Sequence, residues 1–137
     1  MTEPKEKLVL LVDDDDAIQK LLVHVIGKEG FQVEAAGDGE EALRKIEQRA
    51  PALIVLDLML PRYGGFEVLR HLQGSDQGRI PIIVITGRYT DRSTAELIRQ
   101  ESNVVDFLEK PIKLQVLLAA LHRVLGTTPP TGTAPQN

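Results

Sequence analysis

Four groups of residues in this chain are of types that do chemistry, and each one follows a short run of mostly apolar residues. Asp13-Asp14-Asp15-Asp16 follows residues 8–12, Asp57 follows 52–56, Thr86-Gly87 follows 80–85, and Glu109-Lys110-Pro111 follows 104–108. If the apolar runs are neighbouring strands, acids, a hydroxyl and an ammonium collect on one rim. Asp13 or Asp14 then faces Asp57 across a crevice, and three like charges there need a counter-ion. Oxygen ligands with no His or Cys nearby favour Mg²⁺, with Mn²⁺ as the substitute. Asp14 and Asp57 read as direct ligands, with Asp13 acting partly through water. Taken singly, each group has a plainer reading: Asp runs cap helices, Thr forms turns, and Lys-Pro is a weak signal. Asp15 and Asp16 read as caps only. The weight lies in finding all four groups in order at the ends of such runs.

The elements that must position these residues alternate. Residues 8–12 form a continuous apolar run bounded by Lys7 and Asp13, as in a central strand covered on both faces. Ile18, Leu21, Leu22, Val25 and Ile26 trace a helical stripe ending near Gly30, with Asp15 or Asp16 placed to cap it. Residues 31–35 alternate apolar and polar, the mark of an edge strand, and Gly37-Asp38-Gly39 turns the chain into a helix carrying Ala42, Leu43 and Ile46. A third strand over 52–56 leads through the loop 61–65 to a helix marked by Phe66, Leu69 and Leu72. Residues 80–85 make a fourth strand that tolerates Pro81 only at its start. The polar stretch 90–100, with only Ala95, Leu97 and Ile98, predicts the weakest helix. A fifth strand over 104–108 precedes a last helix striped with Leu114, Leu117, Leu118, Leu121 and Leu125 and stopped by Gly126. Strict alternation implies a doubly wound α/β domain, a mainly parallel five-stranded sheet with helices on both faces; the order 2-1-3-4-5, a flavodoxin-like arrangement, is the one expected if the first strand lies beside the third. The expected layout is a polar N-terminal extension over 1–6, the domain over 7–125, and a disordered tail or truncated linker over 126–137.

Composition narrows the function. With 137 residues and 42% apolar content, one core is expected. A net charge of −4 argues against a nucleic-acid surface, which needs clustered excess Lys and Arg. The absence of Cys removes thiolate nucleophiles, disulfides and zinc knuckles. The run at 8–12 is too short for a signal-peptide core, and no run approaches the roughly 20 apolar residues of a bilayer span. A soluble, cytoplasmic location is the expectation. His24, His71 and His122 fall on three different helices and read as surface or boundary residues.

The residues that carry the chemistry resemble the receiver domain of bacterial two-component response regulators over about residues 7–125. The matching pieces are Leu11-Val12-Asp13-Asp14-Asp15, Asp57-Leu58-Met59-Leu60-Pro61 with Gly65 following, Thr86-Gly87, and Phe107-Leu108-Glu109-Lys110-Pro111-Ile112. The resemblance implies that Asp57 accepts a phosphoryl group. It implies that Asp13 and Asp14 hold Mg²⁺ together with Asp57 and the Met59 backbone carbonyl. Thr86 and Lys110 would contact the phosphoryl oxygens, and the Lys110-Pro111 peptide would be cis. The donor would be a sensor histidine kinase, a histidine phosphotransfer protein or a small acyl phosphate. Thr86 and Phe107 would form a two-state switch altering the surface of the fourth helix, fifth strand and fifth helix. That surface would bind a downstream protein or a fused output domain, or form a homodimer, with Arg92, Arg99 and Arg123 available for ion pairs. No direct nucleic-acid or membrane contact is implied. The domain would not be a turnover enzyme but would catalyse its own phosphorylation and a slow autodephosphorylation, because Met59, which with Arg88 flanks the route of attacking water, cannot orient it.

Two departures from the family pattern stand out. Asn103-Val104-Val105 replaces the common Gly-Ala-Asp, and the separation of Thr86 from Lys110 is a residue or two longer than usual, which predicts a remodelled fourth helix or exit loop. Gly64 stands where an Asp often precedes Gly65, making the loop more flexible. Other classes fit less well. A flavin carrier would not place four Asp around a phosphate, and a haloacid-dehalogenase-type phosphatase wants an acid where Met59 stands. A receiver that signals without phosphate would not need the acids, Thr86 and Lys110 together.

Overall fold

In the computed structural model, residues 3–58, 64–87, 92–101 and 103–129 are described. The expectations placed on Met59, Arg62, Tyr63, Arg88 and residues 130–137 lie outside them, as does the side chain of Phe66 in the third helix. The strands are β1 (Leu8–Val12), β2 (Gln32–Ala36), β3 (Leu53–Asp57), β4 (Ile82–Thr86) and β5 (Val104–Glu109). The helices are α1 (Asp16–Lys28), α2 (Gly39–Gln48), α3 (Gly65–Gln73), α4 (Arg92–Arg99) and α5 (Leu114–Leu125). All strand pairs are parallel, as the alternation predicts, and the order is β2-β1-β3-β4-β5, the expected one that sets the first strand beside the third.

The apolar runs become central strands because both their faces are covered. Every residue of β1, β3 and β4 is buried, whereas β2 at the edge is mostly half-exposed. Alternate side chains point to opposite faces. Leu10, Val12, Ile54, Leu56, Ile82 and Val84 pack with Ala42 and Ile46 of α2, Leu69 and Leu72 of α3, and Ile98 of α4. Val9, Leu11, Val55, Ile83 and Ile85 pack with Leu22 and Ile26 of α1 and Leu117 and Leu121 of α5. Two layers of helix thus fix five strands, and the carboxyl ends of all the strands share one rim.

The caps explain where helices begin. Asp15 accepts hydrogen bonds from the amides of Ala17 and Ile18 at 2.9 and 3.1 Å, so Asp15 rather than Asp16 is the cap of α1. Asp38 accepts from Glu41 N–H at 2.9 Å, and the Glu41 carboxylate reaches back to Gly37 N–H at 2.8 Å.

Three features depart from the sequence reading. The extension expected over 1–6 is not merely polar: Pro4 opens a 3₁₀ turn over Pro4–Glu6 and is buried. It lies against Gly30, whose φ of +105° suits glycine and whose Cβ, if present, would stand 3.2 Å from Pro4. His122, read as a surface or boundary residue, is buried. Its ring nitrogens bond Thr127 Oγ1 at 2.7 Å and Glu29 Oε1 at 2.8 Å, and its ring packs against Phe31. Packing therefore runs past the expected boundary at 125, since Thr127 is itself buried and its amide donates to the His122 carbonyl.

The third feature lies between Thr86 and Lys110, whose separation reads as a residue or two longer than usual. The β4–β5 ladder pairs Ile82 with Val104 but Ile83 with Asp106, so Val105 is an unpaired bulge residue and is exposed. In β5 itself, then, an added residue is accommodated, and the bulge restores the alternation so that Val104 and Phe107 both lie toward the α3–α4 layer. Asn103 closes the near end. Its side chain donates to the Ile80 carbonyl at 3.2 Å and accepts from Gln73, and its carbonyl accepts from Ile82 N–H at 2.7 Å.

Candidate functional site

Register alone brings the two buried acids together. Val12 pairs with Leu56, so the next residues on the adjacent strands are Asp13 and Asp57. Both are buried, while Asp14 is exposed at the rim. Carboxylate oxygens of Asp13, Asp14 and Asp57 lie within 4.8 Å of one another, an arrangement able to hold a metal ion. Lys110 arrives from the far strand because its amide donates to the Thr86 carbonyl at 2.8 Å, continuing the β4–β5 ladder past Glu109. Its Nζ lies 3.0 Å from Asp57 Oδ2 and 3.8 Å from Asp13 Oδ2. The Lys110-Pro111 peptide is cis. Thr86 is buried on the neighbouring strand end, where its hydroxyl donates to the Gly87 carbonyl at 3.2 Å. Phe107 stands apart from the acids, half-buried and packed against the α3–α4 core layer. Met59 lies outside the described residues.

Electrostatics follow from this crowding. Burial pushes the Asp13 carboxyl above its ordinary 3.8; the Asp15 amide pulls it back down, the charges of Asp57 and Asp14 raise it, and Lys110 lowers it. For Lys110, burial pulls downward but is outweighed by the hydrogen bond to Asp57 and by the charges of Asp57, Asp13 and Asp14, so its pKa lies above 10.5. One oxygen of Asp13 accepts from Asp15 N–H at 2.9 Å, whereas the buried Oδ2 has no hydrogen-bond partner among the described residues. An orphaned, buried carboxylate oxygen beside two further acids is what a hard divalent cation would satisfy. The donor set therefore fits Mg²⁺ or Mn²⁺.

A testable consequence is the pH and cation dependence of stability. An acid whose folded pKa is raised binds more protons in the folded state. Asp13 therefore costs nothing below 3.8, and stability is lost as pH rises from there through the folded value. Asp13→Asn is expected to raise stability at neutral pH without divalent cation by about 1 kcal/mol. It should also shrink the stabilisation that millimolar Mg²⁺ gives the unaltered protein. Thermal melts of both proteins with and without Mg²⁺ check both signs.

Two positioning residues were not legible from their types. Gln19, one turn into α1, donates from Nε2 to the carbonyls of Asp13 and Ala36, fastening the β1 exit to the β2 end. A long polar residue on a helix gives no signal of this without its long-range partner. Gly65, noted only as following the acidic motif, starts α3 directly against β3. A Cβ there would stand 2.7 Å from the Asp57 carbonyl oxygen and 2.8 Å from Leu58 Cα. Because both atoms are backbone, Gly65→Ala must displace the Asp57 segment, and a loss of about 2 kcal/mol is expected in chemical denaturation.

The parallel sheet thus gathers three acids and a lysine at its carboxyl edge. The chain belongs to the response regulator receiver domain family, whose profile matches residues 9–122. It is therefore a receiver domain of two-component signalling. It is 39% identical over 117 residues to the transcriptional regulatory protein AfsQ1 of Streptomyces coelicolor, an alignment covering 85% of this chain and 50% of that protein. It is 38% identical over 126 residues to the response regulator MprA of Mycobacterium tuberculosis, covering 92% of this chain and 54% of MprA. The chain thus spans about half the length of these curated relatives. Among solved structures, a response regulator receiver protein from Pseudomonas putida superimposes with a TM-score of 0.81 at 30% identity, covering 90% of this chain and 98% of that one. The signal receiver domain of a signal transduction histidine kinase from Syntrophus aciditrophicus superimposes with a TM-score of 0.79 at 28% identity, covering 96% and 95%. No helix among the described residues is long and apolar enough to cross a membrane.

Proposed function

We propose that this receiver domain accepts a phosphoryl group on Asp57, held in line by Asp13, Asp14, Thr86 and Lys110, and that the modified aspartate changes the α4-β5-α5 surface. The observation that carries the reading is the contact of Lys110 Nζ with Asp57 Oδ2 at 3.0 Å inside a trio of acids. An Asp57 carboxylate oxygen attacks phosphorus, and the bond from phosphorus to the donor breaks. The leaving group departs as neutral imidazole from a phosphohistidine, with a proton, or as acetate from acetyl phosphate. The transferring group carries charge on three equatorial oxygens, so positioning and neutralisation do most of the catalytic work. Lys110 supplies a fixed ammonium on one side, and Thr86 a hydroxyl that can leave the Gly87 carbonyl to donate to a phosphoryl oxygen. Asp13, Asp14, Asp57 and the Met59 carbonyl would hold Mg²⁺, which when bound adds positive charge against the phosphoryl oxygens and relieves the repulsion between the acids.

The donor in this reading is a sensor histidine kinase or a histidine phosphotransfer protein. The readout is a downstream protein or a fused output domain contacted through α4, β5 and α5, or a homodimer through that face; DNA is not contacted by this domain. The work of residues 7–125 is self-modification rather than turnover of an external substrate. Because Met59 offers no group to orient water, the aspartyl phosphate is expected to persist for minutes or longer in Mg²⁺ at neutral pH. A decay within seconds, followed by loss of the phosphoryl mass, would contradict this.

Intact-mass measurement after incubation with acetyl phosphate and Mg²⁺ tests the main reading. A gain of one phosphoryl group that disappears when the cation is chelated is expected. An unchanged mass under conditions where the protein is folded would overturn it.

A further inference from the structure

We propose that Arg99 is a positioning residue of the switch: its guanidinium, stacked on the Phe107 ring, holds that ring outward and opposes its movement toward Thr86. The proposal rests on the phosphoryl-acceptor reading of Asp57 and Thr86, and it adds a residue that the motifs do not mark. Arg99 is the last residue of α4, and its Cζ stands 4.6 Å from the centroid of the Phe107 ring. Ile98, its neighbour, is buried in the core, so the turn that presents Arg99 is anchored.

Register sets up the rest. Val84 pairs with Phe107 and Thr86 with Glu109, so Phe107 and Thr86 occupy the same face of the sheet. The bulge at Val105 is what places the ring on that face, because a one-residue slip would send it to the opposite layer. A phenyl ring has no hydroxyl with which to hold itself at the surface by hydrogen bonding. A planar, weakly hydrated guanidinium over its face does that instead. Asp106, next to Phe107 on β5, is engaged elsewhere: it pairs with Arg123 at 2.8 Å and accepts from Phe107 N–H at 2.8 Å. These two pairs, one from α4 and one from α5, bracket β5 and flank the shallow depression lined by Arg99, Val105, Asp106 and Phe107.

A contact made only with the ring outward biases the equilibrium against the phosphorylated form by its own free energy. The test is the affinity for beryllofluoride in Mg²⁺, measured for the unaltered protein, Arg99→Gln, Arg99→Lys, Phe107→Leu and the Arg99→Gln, Phe107→Leu double variant. Arg99→Gln is expected to tighten binding by about two- to fivefold. Arg99→Lys, which keeps the cation, should stay closer to the unaltered protein, and Arg99→Gln should add nothing once Phe107 is Leu. In the cation-free protein, the upfield ring-current shift of the Arg99 side-chain protons should vanish in Phe107→Leu. Unchanged or weaker binding by Arg99→Gln, or the same gain in the Phe107→Leu background, would overturn the role of Arg99 and leave the reading of Asp57 standing. Failure of the unaltered protein to bind beryllofluoride would overturn both.

Discussion

Asp57→Asn is expected to abolish phosphoryl uptake, by at least on the order of 10³-fold, because the substitution removes the bond-forming atom. The fold should survive the change. Asn is nearly isosteric, its carbonyl oxygen can still accept from Lys110, and the neighbouring strand residues Val55 and Leu56 are locked in two separate core layers. Removal of the Asp57 charge also removes one of the influences that raise Asp13, whose carboxyl should therefore titrate lower in the variant. The experiment is intact mass after acetyl phosphate treatment, with a thermal melt of the same sample. An Asp57→Asn protein that melts cooperatively yet still gains a phosphoryl group would assign the acceptor role to another residue.

Lys110→Met is the second large effect, expected to slow phosphorylation by small donors by about 10²- to 10³-fold. Lys110 is the cation closest to the acceptor oxygen among the described residues, and it is held there by backbone as well as charge: its amide completes the β4–β5 ladder at the Thr86 carbonyl. Methionine keeps much of the stem and deletes the ammonium. The loss should appear in the rate of uptake rather than in Mg²⁺ affinity, which should hold or rise, since a cation 3.8 Å from Asp13 Oδ2 no longer competes with the metal. Stopped mass measurements over a series of donor concentrations, beside a Mg²⁺ titration, separate these effects. Rates within a few-fold of the unaltered protein would remove Lys110 from the transfer step.

The site was legible from sequence because its members end apolar runs. A run such as 52–56 has few ways to be buried, and once the runs are parallel strands, Asp13, Asp57, Thr86 and Lys110 must share a rim. Helix starts were legible to within a residue where a capping Asp stood, although choosing Asp15 over Asp16 required seeing which carboxylate faced the amides of Ala17 and Ile18. What was not legible depends on partners far along the chain. His122 is polar on a Leu-rich helix and looks like a boundary residue until Glu29, Phe31 and Thr127 close around it. The longer spacing before Lys110 announced an extra residue without saying where it goes. The bulge at Val105 was not legible, because only the β4 pairing decides which residue is left out of the ladder. The partners that Arg99 and Arg123 take within one chain, Phe107 and Asp106, were likewise not legible.

The central claim is that acids from two strand ends gather one divalent cation against the side chain that receives phosphorus. Diffraction at the manganese edge from crystals grown with Mn²⁺ addresses it most directly. One anomalous peak is expected, about 2.1 Å from an Asp57 oxygen and within direct or one-water reach of Asp13 and Asp14. A map with no peak among these three carboxylates at saturating Mn²⁺, or with the ion bound elsewhere on the surface, would contradict the account.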